Sequence, residues 1–241
     1  MTAPGEPDAR GSRMSRDDRR VQILGLARDL FAAEGYHHVS MDDIAVQAEV
    51  TKPVLYRHFP SKLDLYLAVI DQRGDDLLAA VDTALAALEP NHPEDGRAVV
   101  AAVVRAYFEF VAGAGEASSL LFESDILRDP SVRERVDRAA SSVSAHISGV
   151  LQDVSGLPAA QTELLVSGLT AMAQAAATHH LRHRAELGLD LAAGLVGRLA
   201  WGGIAGLVKP TIAGQAPPNG GAETTPPAGR PGAEIALPAT T

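Results

Sequence analysis

Cysteine is missing from all 241 residues, and with it go disulfide staples, thiolate metal sites and thiol redox sensing. A reducing, cytoplasmic setting fits that usage. Aromatic residues make up only 4% of the chain, with a single tryptophan, and alternating runs of β-branched residues are nearly absent, so nothing signals a half-buried sheet. No uninterrupted apolar run reaches about 18 residues, the length a membrane helix needs. The amino terminus, MTAPGEPDAR, is prolines, glycine and charge in place of a hydrophobic signal region, and no membrane partner is expected. Also missing are a Gly-rich phosphate loop after a strand, a GxSxG elbow and an HExxH zinc pattern. An enzyme is therefore the less favoured class, although acid and base groups can converge only in three dimensions. No cofactor and no metal ion is assigned.

What is present points to helices. Hydrophobic residues are 46% of the chain, ample for a core, and alanine and leucine dominate them. An all-α fold follows. The formal charge of −9 argues at first against a nucleic-acid partner, yet distribution matters more than total. Arginines 10, 13, 16, 19 and 20 face only Asp17 and Asp18 nearby, and such a local basic patch can still bind phosphates in a salt-sensitive way.

The stretch from Ser40 to Lys62, SMDDIAVQAEVTKPVLYRHFPSK, organises the rest. Ser40 with Asp43 three residues on is a capping pair that starts a helix, and Ile44, Ala45 and Ala48 give it one apolar face. Glu49-Val50 makes a turn. Thr51 is placed to cap a second short helix through His58, with Pro53 in the first turn, where amides have no helical partner. Val50, Leu55 and Phe59 are expected to face inward, and Thr51, Lys52, Tyr56, Arg57 and His58 outward. A set of donors with one aromatic suits phosphates and base edges, and the pattern reads as a helix-turn-helix.

These residues carry a family resemblance. Asp43-Ile44-Ala45, then Ala48-x-Val50-Thr51, then Leu55-Tyr56-x-His58-Phe59-x-Ser61-Lys62 resembles the DNA-binding signature of the TetR family (TetR/AcrR) of bacterial transcriptional regulators. Glu49 stands where members often have glycine, and Pro53 where they often have a small residue. The resemblance implies a homodimer on a roughly palindromic double-stranded DNA operator, with Thr51, Lys52, Pro53 and Val54 near base edges and Arg57 as a further reader. Ser40, Tyr56, His58 and Lys62 would hold phosphates. It also implies a larger carboxy-terminal domain with a ligand cavity, and repression released by a small, largely apolar molecule.

Helical periodicity divides the chain into about nine helices. Residues 1 to 14 are expected to be a disordered arm, whose Arg10 and Arg13 could reach a minor groove. Residues 15 to 60 form the three-helix DNA-binding domain. Residues 61 to 209 form the helical ligand-binding and dimerisation domain, and 210 to 241 a disordered, Pro- and Gly-rich tail. Helix 1 carries Ile23, Ala27, Leu30 and Phe31 and closes at Gly35. Helix 4, opened by Ser61 and Asp64, carries Leu63, Leu67, Ile70, Leu77, Val81 and Leu85 and connects the two domains. Its Gly74 is either a kink or a close packing spot.

In the second half, Tyr107, Phe108, Phe110, Leu121, Phe122, Ile126, His146 and Met172 are the candidate ligand residues, although aromatic and Met residues at helical spacing more often simply pack as core. The last helix is rich in glycine and alanine, which calls for close helix approach. Helices 8 and 9 resemble the family's dimerising pair, with Leu195, Trp201, Gly202 and Gly206 at the interface; a tight core within one chain is the alternative. His179 and His183 share a helical face, but two imidazoles do not complete a metal site. A regulator controlled by a protein partner also remains open: a closed apolar cavity would favour a small molecule, an exposed apolar patch the protein partner.

Overall fold

Three Ser-x-x-Asp pairs start helices. The Ser15, Ser40 and Ser61 hydroxyls each accept from the amide of the aspartate three residues on, at 3.0, 3.1 and 3.0 Å. At Ser40 the Asp43 carboxylate also accepts from the Ser40 amide at 2.9 Å, which completes the box. The Ser40 hydroxyl, which donates to the Asp43 carboxylate at 2.6 Å, and then the Ser40 amide hold that carboxyl below its ordinary pKa.

The computed structural model describes residues 14–88, 95–123, 126–183 and 187–208. The expected arm with Arg10 and Arg13, and the tail beyond 209, lie outside them. In order come α1 (Arg16–Glu34), α2 (Met41–Gln47), α3 (Lys52–His58), α4 (Lys62–Ala86) and α5 (Gly96–Ala114). A 3-10 turn (Gly115–Ser118) leads into α6 (Ser119–Phe122), followed by α7 (Pro130–Ser155), α8 (Ala159–Arg182) and α9 (Leu189–Val208). The described residues contain no strand.

In the first three helices Ile23, Ala27 and Phe31 meet Ile44, Ala48, Leu55 and Phe59 in one buried cluster. A helix as short as α3 cannot persist alone, because nucleation is costly. Leu55 and Phe59 root it in that cluster. At its end Arg20 of α1 donates to the His58 carbonyl at 3.0 Å and lies 4.2 Å from the centre of the Phe59 ring. An arginine on a terminal carbonyl both satisfies it and suits the helix dipole.

α4 is about 37 Å long at 1.5 Å per residue and packs on α1, α5 and α7. Its first turns are buried more widely than one stripe requires. Leu65, Tyr66, Val69 and Ile70 are fully buried while Leu63 and Leu67 are partly so, because α1 covers one side and the second half of the chain another. Phe31 and Tyr36 each meet the Tyr66 ring edge to face, with centroids 5.0 Å apart. Gly74 resolves as a close approach, with the helix running through it: a Cβ there would lie 2.6 Å from the Ala139 Cβ on α7. An Asp71–Arg135 ion pair and a contact of the Asp82 carboxylate with the His146 ring flank this contact.

α5 is the central helix, packed by α4, α8 and α9. Gly96–Phe122 is long and apolar enough to cross a membrane by composition alone, but its buried faces are those of a core helix. α9 runs antiparallel to α5, with Gly197 beside Ala101 and Trp201 beside Gly96. Trp201, a candidate dimer anchor, is half-buried, with its ring 3.1 Å from where a Gly96 Cβ would be.

Candidate nucleic-acid interface

The outer side of α3 follows from the inner one. With Leu55 buried, a turn of about 100° per residue sends Tyr56 and Arg57 outward, and Thr51, Lys52, Pro53, Tyr56 and Arg57 are all exposed, with Val54 half-buried. Thr51 makes no side-chain capping bond, so its hydroxyl is not spent on the helix as expected. Ser40 is exposed but engaged in its capping box. The Lys52 ammonium is held by Asp42 of α2 at 2.7 Å, which raises its pKa above the ordinary lysine value. Asp42 had no assigned role in the sequence, since nothing local indicates that α2 and α3 bring positions ten apart together.

Two expected phosphate contacts have other surroundings. His58 is only 8% exposed. Burial, followed by the charges of Arg57, Arg16, Arg20 and Arg19, pushes its pKa down. The ring is therefore neutral and inward. The same four arginines mark a basic patch where α1 and α3 meet. Lys62 donates from Nζ to the carbonyls of Tyr36 at 2.8 Å and Val39 at 2.9 Å and sits 4.2 Å above the Tyr36 ring. Two of its three donors thus staple the α1–α2 connection to α4. The sequence spacing puts both residues at the end of the motif, but only the packing shows which way they turn.

Between α4, α5, α6, α7 and α8 lies a cavity of about 290 Å3. Tyr107, Leu121 and Phe122 line it as expected, together with Leu77, Leu127, Val136 and Ala139, and its polar wall includes Arg133, Asp137, Thr170 and Gln174. Burial pushes the Tyr107 hydroxyl up to about 12, against a hydrogen bond with Thr170 that pulls the other way. The remaining expected ligand residues are elsewhere. Phe108 packs on the His180 ring at 5.5 Å, Phe110 on Phe122 at 6.3 Å, and Ile126 is core. His146 pairs with Asp82 at 2.6 Å outside the cavity, and Met172 lies in a groove between α8 and α9. Neighbours on α5 diverge by about 100° per residue, so Tyr107 and Phe108 cannot share a wall.

On α9, Leu191, Leu195 and Leu199 recur every fourth residue and are 52%, 45% and 69% exposed, beside Leu164 of α8 at 74%. A stripe of large apolar side chains left this open is an unpartnered face. Gly202 is exposed next to it; the surroundings of Gly206 lie outside the described residues. Among the described residues no group of three or more His, Cys, Asp and Glu is placed to hold a metal ion.

The family described as "Bacterial regulatory proteins, tetR family" matches residues 23–69, the span holding most of α1, the two reading helices and the start of α4. The HTH-type transcriptional activator FasR of Mycolicibacterium smegmatis is 35% identical over 201 residues, 83% of this chain and 90% of that protein. A TetR-like transcriptional regulator from Rhodococcus sp. RHA1 has a similar structure with a TM-score of 0.64 at 27% identity, over 80% of this chain and all of that one. FadR from Bacillus subtilis, solved in complex with stearoyl-CoA, shares the fold with a TM-score of 0.61 at 18% identity, over 75% of this chain and 96% of that one.

Proposed function

Since this chain belongs to the TetR family and is a DNA-binding transcriptional regulator, we propose that it works as a homodimer that leaves a palindromic operator when a small, largely apolar ligand enters the α4–α7 cavity. The outward face of α3, with Thr51, Lys52, Tyr56 and Arg57 exposed on a helix rooted by Leu55, carries this reading. Thr51, Lys52, Pro53 and Val54 approach base edges, with Arg57 beside them, while Ser40 and Tyr56 hold phosphates. Lys62 and His58 act one step back, by fixing the shape of the domain.

The proposed coupling uses Ala139. It lines the cavity and also touches Gly74 on α4, so a ligand that moves this wall shifts the helix that ends in the reading head. Release requires the ligand to prefer the shifted state. Where the operator overlaps a promoter, release lifts repression; in a regulator that activates, as the name of the FasR relative says of that protein, the same release would silence. Control by a protein partner has less support. Outside the DNA-binding domain, the large exposed apolar residues among those described are Leu164, Leu187, Leu191, Leu195 and Leu199, on or beside α8 and α9, where a second copy would cover them.

The test is binding of the purified protein to its own upstream DNA across a salt series, with Lys52→Ala and a screen of small apolar compounds. Selective binding that weakens with salt, altered operator preference in Lys52→Ala, and release by an apolar compound are the expected results. Equal loss by Lys52→Ala on every sequence would reduce Lys52 to a phosphate contact. Selective DNA binding that no apolar compound changes would remove the ligand from the proposal.

A further inference from the structure

The polar groups lining the cavity that holds Tyr107 are of two kinds. Arg133 and Asp137, on α7, are exposed, so water screens both charges. Tyr107 is only 4% exposed, and Thr170 and Gln174, one turn apart on α8, are half-buried. Burial pushes the Tyr107 hydroxyl up to about 12 against its hydrogen bond with Thr170, with no ionised group contributing. The Thr170 hydroxyl donates to the Ser167 carbonyl at 3.2 Å. Its oxygen is thus left to accept the Tyr107 proton, and the Tyr107 oxygen keeps its lone pairs for another donor. The enclosed side of the cavity presents a neutral acceptor with no charge beside it.

Much of the remaining wall is carbon, with Leu77, Leu121, Phe122 and Val136 among it. The Tyr107 and Phe122 rings are inclined by only 19°, with centroids 6.5 Å apart, and two ring faces of similar orientation suit a flat aromatic body. A cavity of about 150 Å3 holds one benzene, so about 290 Å3 has room for two fused rings. A carboxylate carried to Tyr107 would lose its water without meeting a cation. A hydroxyl there would find an acceptor. We infer that the cavity takes a neutral, hydroxylated bicyclic aromatic, with its rings along Phe122 and its hydroxyl donating to the Tyr107 oxygen. This rests on the reading of the cavity as the effector site and names the class of effector.

Full-length protein is dialysed to equilibrium against 2-naphthol, naphthalene and decanoate at neutral pH. 2-Naphthol should saturate at one molecule per chain and bind roughly tenfold tighter than naphthalene, the gain of one hydrogen bond to a buried partner. Transfer from water alone would favour the hydrocarbon, so the order of the two reports the hydroxyl contact. Decanoate, which has the same number of carbons but carries a charge, should bind more weakly than 2-naphthol. Tyr107→Phe, which keeps the ring and loses the oxygen, should lose the roughly tenfold preference. Thr170→Val tests the same hydroxyl pair from α8 if the first variant folds poorly. Equal affinity of the parent for 2-naphthol and naphthalene, tighter binding of decanoate, or a preference that survives in both variants would overturn the ligand class and leave the cavity reading standing. Binding of none of the three would overturn both.

Discussion

Glu49 holds φ at 52°, the one non-glycine residue at positive φ among those described. A side chain in that region costs about 1–2 kcal/mol, and the chain accepts this to turn from α2 into α3. Glu49→Gly should therefore raise stability by about 1 kcal/mol net of the added chain entropy, read as a higher denaturant midpoint. His58 yields a pH prediction. Its folded pKa is depressed below 6.5 by burial and by neighbouring arginines, so the unfolded chain takes up the proton first. Its contribution is present in full above the unfolded value and is lost as pH falls through the depressed folded value. As pH falls below the unfolded value of 6.5, the melting temperature of the parent should drop more steeply than that of His58→Gln; parallel curves would remove His58 as the source.

Among the helices, α4 decides how the parts are joined. Its contact with α7 is set at Gly74, where any side chain must push Ala139 away. Gly74→Val should cost about 1–3 kcal/mol through overpacking, and it should also change operator affinity, because it wedges α4 from α7 as a ligand is proposed to do. Equilibrium unfolding and DNA binding on the same preparation separate the two effects. A loss of stability with unchanged affinity for DNA would leave Gly74 a packing residue and take Ala139 out of the coupling. α3 illustrates a different dependence: its seven residues are held by Leu55, Phe59 and the Arg20 bond to the His58 carbonyl, all of them contacts to other helices.

For the whole molecule, the leucine stripe on α9 and Leu164 on α8 are the surface least compatible with water. Leu199→Glu, at a position already 69% exposed in one chain, should leave the monomer folded but place a charge in the proposed dimer seam. Sedimentation should then show the monomer. Affinity for a full palindrome should fall by roughly a hundredfold or more, because two linked heads no longer raise each other's effective concentration, while binding to a half-site changes little. A dimer that persists would move the interface elsewhere.

Much of this was legible in the order of residues, for a local reason. Helix starts depend on groups three residues apart, so Ser40 and Ser61 announced α2 and α4, and Gly35 announced the stop of α1. The exposure of Tyr56 and Arg57 followed from helical period once Leu55 was placed inward. Direction and partnership across helices were not legible, because they depend on which faces meet. Packing turned His58 inward, spent Lys62 on the carbonyls of Tyr36 and Val39, and bound Lys52 to Asp42. It chose Tyr107 over Phe108 for the cavity wall and set Trp201 against Gly96. Local hydrogen bonding and periodicity make the helices and the fold family readable from sequence; the cavity and the lever contact exist only where side chains from distant segments compete for the same space.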